Sequence, residues 1–562
     1  MSTPIYILGT GLSHNGSAVL LKDGKICVAI EKERITRKKH DGGNDTDAIR
    51  YCLDAEGITP DDIALVVQCA NFEVPERGRF HGPRVFAENV QPPLVSISHH
   101  LAHAWSAAGT CPFDTCAIMV IDGCGSPFEH CTDLEGGKVV PRELRSVRTE
   151  MWCEKDSFYH FDGQNMIPLL KDFSPMATGS NGTLRLQTTQ HSIGGFYAAV
   201  SHYVFGNLDD VGKLMGLAPY GKPGALAEKA FRMENGRLFV NEGWKEQLNK
   251  PAADYTAFKN DFHYYADIAF WAQQQVEDAV TAVFHERLNE FPHDEVCYTG
   301  GVALNAVANA RLLNENSVRE LYMEPAAGDN GLALGCAFYG WIEVLGKAKV
   351  PHNGTTCFGK SYDEEVVREA LDNAPSGWKI TTGGTEETIR RTAKLLAQGK
   401  TVGWMQEGCE FGPRALGHRS ILAHPGIDGL GDHINANIKF REDFRPFAPA
   451  VLPEFAQTFF ESGRKSPYMI LVDKTRPDYL NALKNVTHVN GTARVQTVDK
   501  TWNSQFYQLL EAFHELSGIP VLLNTSFNKK GMPMVERPEE AIALFAESAL
   551  DVLVMGNVVV EK

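Results

Sequence analysis

The chain has 562 residues, a formal charge of −16 and 43% hydrophobic residues, too long for a single hydrophobic core and ordinary in composition for a globular protein of two or more domains. No apolar run approaches the roughly 20 residues of a bilayer-spanning helix, the opening MSTPIYILGTGLSHNG has no secretory pattern, and an acidic chain lacks the basic field that general nucleic-acid binding requires. Twelve cysteines are scattered with no CxxC pair, which fits a reduced, cytoplasmic enzyme better than a zinc ribbon or disulfide frame.

In chain order, Ile5–Leu8 reads as a strand, and Ser17–Leu21 with Ile26–Ile30 as a hairpin around Asp23-Gly24. Ala48, Ile49, Cys52 and Leu53 mark one face of a helix stopped by Gly57. Strands follow at Ile63–Val67 and Cys116–Ile121, and the longest helical pattern runs from Tyr264 to Leu288. A strand at Val296–Tyr298 leads into Gly300-Gly301, and Gly331–Trp341 is helical again. Residues 346–360 lapse into Pro, Gly, Asn and Thr, a linker. Beyond it come a helix at Glu387–Ala397, strands at Thr401–Met405 and Val521–Leu523, and a helix at Pro538–Phe545. This alternation predicts an α/β protein of two domains, 1–350 and 351–562, the first open to division into two lobes. No internal repeat is legible.

His99 and His103 in SHHLAHA (98–104) are four apart, so a helix puts both imidazoles on one face, where they either share a metal or form a polar helix face. Asp122 ends an apolar strand beside Gly123 and Gly125, and Asp329 stands at a helix start; two histidines and two carboxylates suit a divalent first-row metal with open positions. His100 points elsewhere and reads as a packed histidine. TGGVALN (299–305) follows a strand and opens a helix, a place where backbone N–H groups either cradle phosphate or merely turn the chain. KLMGLAPYG (213–221) reads as a tight loop bearing Lys213. In the second domain, EFGPRALGHRS (410–420) and KFREDFRPFAP (439–449) gather Arg414, Arg419, Lys439, Arg441 and Arg445 among Phe and Pro, which predicts a stiff pocket for a small phosphate or carboxylate anion. Arg494 and NTSFN (524–528) add donors.

Together HHLAHAWSA, VIDGCGS, GKLMGLAPYG, GGVALN, EFGPRALGHRSIL, KFREDFRPFAPAVL, GTARVQT and NTSFN, collinear from about residue 5 to residue 560, resemble the O-carbamoyltransferases of antibiotic and nodulation-factor biosynthesis. The resemblance implies an actin-like ATPase (ASKHA) N-terminal domain, similar to the tRNA threonylcarbamoyl transferase (TsaD-like), and a YrdC-like C-terminal domain. It implies that the YrdC-like domain converts carbamoyl phosphate and ATP, with Mg2+, into carbamoyl adenylate. The N-terminal domain then passes the carbamoyl group to the hydroxyl of a small acceptor. By the same resemblance His99, His103, Asp122 and Asp329 bind a metal, Fe2+ in preference; Lys213, Gly300, Gly301 and Asn305 belong to the nucleotide site; Arg414, Lys439, Arg445, Arg494, Asn524 and Ser526 surround carbamoyl phosphate and ATP. His14 stands near the acceptor, as its base or as a residue that orders the turn. Where similar chains often carry an acid, this one has Ser126.

An adenylate is a far better carbamoyl donor than a carbamate but reacts with water, so two linked sites in one chain help to shelter it. Residues 145–194, with Trp152, Phe158, Tyr159 and Phe161, read as an insertion that shapes the acceptor pocket or as a surface excursion. Two other functions stay open: a tRNA threonylcarbamoyladenosine-type transferase, disfavoured by the acidic charge, and a non-enzymatic actin-like nucleotide-binding protein, which leaves the arginine cluster without a purpose.

Overall fold

The computed structural model describes residues 3–43, 45–70, 92–145, 151–175, 192–241, 243–250, 255–315, 318–372, 374–375 and 377–562. The chain forms two units, Met1–Lys32 with Gly42–His352, and Glu33–Asp41 with Asn353–Lys562.

The first unit holds two large sheets. β1 (Tyr6–Leu12), β2 (Ser17–Lys22), β3 (Lys25–Glu31), β4 (Ile63–Ala70) and β5 (Leu94–Ile97) lie in the order β3-β2-β1-β4-β5. β1 is antiparallel to β2, β2 to β3, and β1, β4 and β5 run parallel. The second sheet contains β6 (Cys116–Ile121), β7 (Lys138–Val140), β8 (Trp152–Phe161) and β9 (Met166–Pro175). After a separate hairpin, β10 (Phe231–Glu234) and β11 (Arg237–Val240), it is completed by β12 (Glu295–Thr299) and β13 (Glu320–Met323), in the order β13-β12-β6-β8-β9-β7. Here β6 is antiparallel to β8 and β8 to β9, while β6, β12 and β13 run parallel. Strand for strand, β6, β8, β9, β12 and β13 repeat the order and sense of β1 to β5. The first unit is therefore built twice over, a repeat that its sequence does not show.

The helix after β5, His99–Thr110, and the helix after β13, Leu332–Tyr339, occupy corresponding places in the two halves and pack on each other. Their approach depends on Gly335, where an added Cβ would lie 1.7 Å from the Ala102 carbonyl oxygen. Trp105, fully buried, ties the first helix to β8 through an edge-on contact with Phe161 at 5.5 Å between ring centroids.

β8 and β9 overturn the reading of residues 145–194 as an insertion: Phe158, Tyr159 and Phe161 are core residues of the second sheet. Residues 146–150 and 176–191 of that stretch lie outside the described residues. The strands look like loop because their inward residues include charges, buried in opposite pairs: Lys171 with Glu154 at 2.5 Å, Lys155 with Asp172 at 3.0 Å and Arg287 with Asp156 at 2.8 Å.

The second unit is built on one mixed eight-stranded sheet. Its strands are β14 (Lys379–Thr382), β15 (Val402–Met405), β16 (Arg419–Ala423), β17 (Ala448–Val451), then, past a small ribbon of β18 (Val472–Lys474) and β19 (Thr492–Arg494), β20 (Gln496–Thr497), β21 (Val521–Ser526), β22 (Val552–Met555) and β23 (Val558–Glu561). Their order is β14-β23-β22-β15-β16-β21-β17-β20. Successive residues face opposite sides, so Val402, Trp404, Leu422 and Leu522 pack under the helices Thr385–Ala397 and Ser504–Ser517, while Met405, Ile421 and Leu523 pack under Pro538–Glu547.

Candidate functional site

In the first unit the helix His99–Thr110 opens beside the end of β6. Its first backbone N–H, on His99, donates to Ser126 Oγ at 2.9 Å, so the serine found in place of an acid serves to hold the helix start. Both imidazoles are fully buried with their Nε2 atoms 3.2 Å apart. Asp122, directly after β6, brings Oδ2 to 3.1 Å from His99 Nε2; Asp329 Oδ1 is 3.6 Å from His99 Nε2 and 3.9 Å from His103 Nε2. The other Asp122 oxygen accepts the Gly301 N–H at 2.8 Å, and Ser13, just beyond β1, donates to Asp329. Gly300 makes that turn with φ 90°, and a Cβ there would sit 2.3 Å from the Ile121 carbonyl oxygen, so only glycine fits.

One ligand atom from each of His99, His103, Asp122 and Asp329 lies within 4.8 Å of all the others. Ligands about 2.1 Å from a common ion stand roughly 3.0–3.4 Å from one another, so this set needs only small adjustments to close on one. Electrostatics agree. Burial pushes the Asp122 carboxyl up, but the hydrogen bond and charge of His99 outweigh it and hold it well below the ordinary carboxylate range. Burial lowers His99 too, yet Asp329 and Asp122 raise it well above an ordinary histidine, while burial and the His99 charge lower His103 to about 4. Two carboxylates thus face one imidazolium and one neutral imidazole. Replacing that proton with a divalent cation brings the buried set to zero net charge. The residues fit a metal.

The second unit gathers cations. Desolvation lowers the Arg494 pKa, and after it the charges of Arg414, Arg441 and Arg445; Lys439 is lowered by desolvation and then by Arg441, Arg445 and Lys39. Arg414, Lys439, Arg441 and Arg494 form no ion pair among the described residues, and Arg414 Nε is buried without a hydrogen-bond partner. Arg445 stands 3.7 Å and Lys530 2.8 Å from the buried Glu442. Arg441 stacks over Phe447 at 4.5 Å, and Lys439 donates to Ser526 Oγ at 3.1 Å. Like charges held together away from water repel unless an anion joins them, so the cluster is shaped for one.

The sequence profile of the carbamoyltransferase N-terminus matches residues 6–74 and 74–338, and that of the carbamoyltransferase C-terminus matches residues 393–562. The chain belongs to the carbamoyltransferase family. It is similar to nodulation protein NolNO of Sinorhizobium fredii, at 31% identity over 98% of this chain and 79% of that protein. It is also similar to the uncharacterised protein sll1178 of Synechocystis sp., at 30% identity over 99% and 97%. Among solved structures, T. kodakarensis HypF aligns over 62% of this chain and 49% of its own, with 15% identity and a TM-score of 0.35. As a carbamoyltransferase the protein is an enzyme that acts on a carbamoyl donor and an acceptor.

Other residues singled out in this carbamoyltransferase fall into place unevenly. His14 follows β1 and sets Nε2 3.1 Å from Asp209 Oδ1; that hydrogen bond raises its pKa against the lowering effect of burial. Lys213 lies on a helix, Val211–Leu217, rather than in a loop, and pairs with Asp210 at 2.6 Å. Gly301 opens a 3-10 turn, Gly301–Leu304, and the α-helix after it begins at Ala306 with Asn305 as its N-cap, its side-chain oxygen accepting from the Ala308 N–H at 3.1 Å. The Gly301 N–H thus serves the Asp122 carboxylate, Gly300 makes the turn, and Asn305 caps the helix. Arg419 does not join the cation cluster: fully buried, it donates to the carbonyls of Gln406, Glu407, His418 and Glu536. His100 is the packed histidine expected, with Nδ1 2.8 Å from Ser157 Oγ. Asn524 is buried and braces Ala415 O at 3.2 Å and Gln496 at 2.9 Å. Lys39 and Lys530 were invisible to sequence reasoning. Lys39 lies far from the cluster in the chain, and only the folding of Glu33–Asp41 into the second unit, where Arg34 donates to Gly412 O at 2.7 Å, brings it there.

Proposed function

We propose that this carbamoyltransferase is ATP-dependent and acts in two steps. In the second unit, which we read as YrdC-like, carbamoyl phosphate, water and ATP give carbamoyl adenylate, phosphate and pyrophosphate. In the first unit, read as actin-like, the carbamoyl group then passes to the hydroxyl of a small-molecule acceptor and AMP leaves. The observation that carries this reading is the set of four clustered cations, Arg414, Lys439, Arg441 and Arg494, that form no ion pair among the described residues. The doubled sheet order of the first unit supports the actin-like assignment.

The cation cluster binds the phosphates of both substrates: guanidinium forks take two oxygens at once, and Lys439, fixed by Ser526 and Asn528, adds a point charge. Charge held in place before reaction costs no reorganisation when phosphate and pyrophosphate depart. In the first unit His99, His103, Asp122 and Asp329 would hold the divalent ion, Fe2+ by the family resemblance, which when bound supplies positive charge for the adenylate phosphate as AMP departs. His14 donates its Nε2–H to Asp209, which orients the ring and raises its basicity, and Nδ1 takes the proton of the acceptor hydroxyl.

Pyrophosphate release from ATP, followed with and without carbamoyl phosphate, tests the first step. The reading expects release only when carbamoyl phosphate is present, and adducts one carbamoyl group heavier in a mass-spectrometric screen of hydroxyl compounds. Release independent of carbamoyl phosphate would sink it.

A further inference from the structure

The helix that carries His99 and His103 ends at Thr110, and the next residue, Cys111, meets Cys116 of β6 and Cys297 of β12 in the core of the first unit. The three sulfur atoms lie within 4.8 Å of one another, with Cys116 and Cys297 3.6 Å apart, and none of the three residues is more than 2% exposed. Buried cysteines by themselves are small apolar residues. Here, however, an ammonium is aimed at them. Lys349 Nζ lies 3.3 Å from Cys111 Sγ, held there by the carbonyls of Cys111 at 2.8 Å and Phe113 at 2.7 Å, and it forms no ion pair with a carboxylate among the described residues. An ammonium in that position favours thiolate over thiol.

A disulfide between Cys116 and Cys297 does not account for the cluster. Cys297 registers with Ile118, so Cys116 is its diagonal neighbour two residues back on the adjacent parallel strand, a separation of roughly 7–8 Å that lies at or beyond disulfide reach. Three sulfurs around one ion are a better match. Zinc–sulfur bonds of about 2.3 Å place tetrahedral thiolates roughly 3.8 Å apart, close to the 3.6 Å between Cys116 and Cys297.

We propose that Cys111, Cys116 and Cys297 form a second, thiolate metal site that binds zinc(II). Charge selects the divalent ion: three thiolates and Lys349 sum to −2, which zinc(II) neutralises and a monovalent soft ion such as copper(I) does not, and net charge in a protein core is costly. Zinc takes a fourth ligand, and the three sulfurs leave that place to a non-protein ligand. A cavity of about 270 Å³ lined by Cys116, His160, His293 and Glu295 provides an approach. The ion would pin the end of the helix bearing His99 and His103 to β6 and β12, and through them steady the oxygen- and nitrogen-lined site at its other end.

Cobalt(II) added to the metal-stripped full chain discriminates the two sites, because thiolate-to-cobalt charge transfer gives a near-ultraviolet band that histidine and aspartate ligands cannot. The band is expected in the wild type and in His103→Ala, displaced by zinc, and lost in Cys111→Ser, with one metal equivalent per chain lost alongside it. Cys111 ends a helix and is the replacement least disruptive to the sheet; if it fails to fold, the wild-type spectrum still decides. A wild type without the band, a band that persists in Cys111→Ser, or a thiol count two short of twelve in the unfolded, unreduced protein overturns the proposal.

Discussion

A histidine acts as a base only while neutral, so under the proposal that His14 is the base, its partner governs the acid limb of the transfer reaction. The hydrogen bond to Asp209 raises the His14 pKa, which keeps the ring protonated to higher pH than the usual midpoint near 6.5. Transfer should therefore fall with decreasing pH through a midpoint above that value, and Asp209→Asn should move the midpoint down while leaving carbamoyl phosphate-dependent pyrophosphate release unchanged. An unmoved limb removes His14 from the reaction. In the second unit, Arg494→Ala deletes a charged donor from a desolvated cluster, a loss of roughly 1.5–3 kcal/mol or about 10- to 150-fold. It should appear as slower pyrophosphate release at low carbamoyl phosphate. At this scale residue types and short spacing were enough to mark His99, His103, Asp122 and Asp329 as one group, since a helix fixes the first pair and strand and helix ends expose the carboxylates. They were not enough to tell Arg419 from its neighbours, because saturation of a guanidinium by four backbone carbonyls depends on contacts up to 117 residues away.

The elements that hold the first site meet through a glycine. Gly335→Ala would force the helices His99–Thr110 and Leu332–Tyr339 apart, since its Cβ would fall 1.7 Å from a backbone oxygen that cannot rotate away. Overpacking of this kind costs about 1–3 kcal/mol or more, and the variant should lose both thermal stability and bound metal. The strands β8 and β9 make a different demand. Lys171 is 1% exposed between Asp133 and Glu154, each at 2.5 Å, and Lys171→Met would take from two buried carboxylates the cation they share, a loss of about 3–5 kcal/mol readable in chemical denaturation. The same charges hid these strands from sequence reading: WCEKDSFYHF lacks an apolar-polar alternation because both of its faces are buried, with carboxylates and ammoniums matched across neighbouring strands. By contrast, β6, wholly apolar and wholly buried, was legible from its residues alone.

Across the whole molecule, two units of α/β structure carry two kinds of charge. The first unit surrounds two carboxylates with histidines, and the second crowds arginines and lysines together. No helix among the described residues is long and apolar enough to cross a membrane. The two units part between His352 and Asn353, and neither the loan of Glu33–Asp41 to the second unit nor the duplication within the first was legible in the sequence, because both are properties of pairing rather than of local sequence. Two chemically different sites make separable predictions. His103→Ala and Arg494→Ala, prepared in parallel and checked for fold by circular dichroism, can be measured for bound metal and for carbamoyl phosphate-dependent pyrophosphate release. The first should lose metal and keep pyrophosphate release; the second should keep metal and release pyrophosphate poorly. Loss of pyrophosphate release in a folded His103→Ala protein would contradict the assignment of adenylate formation to the second unit.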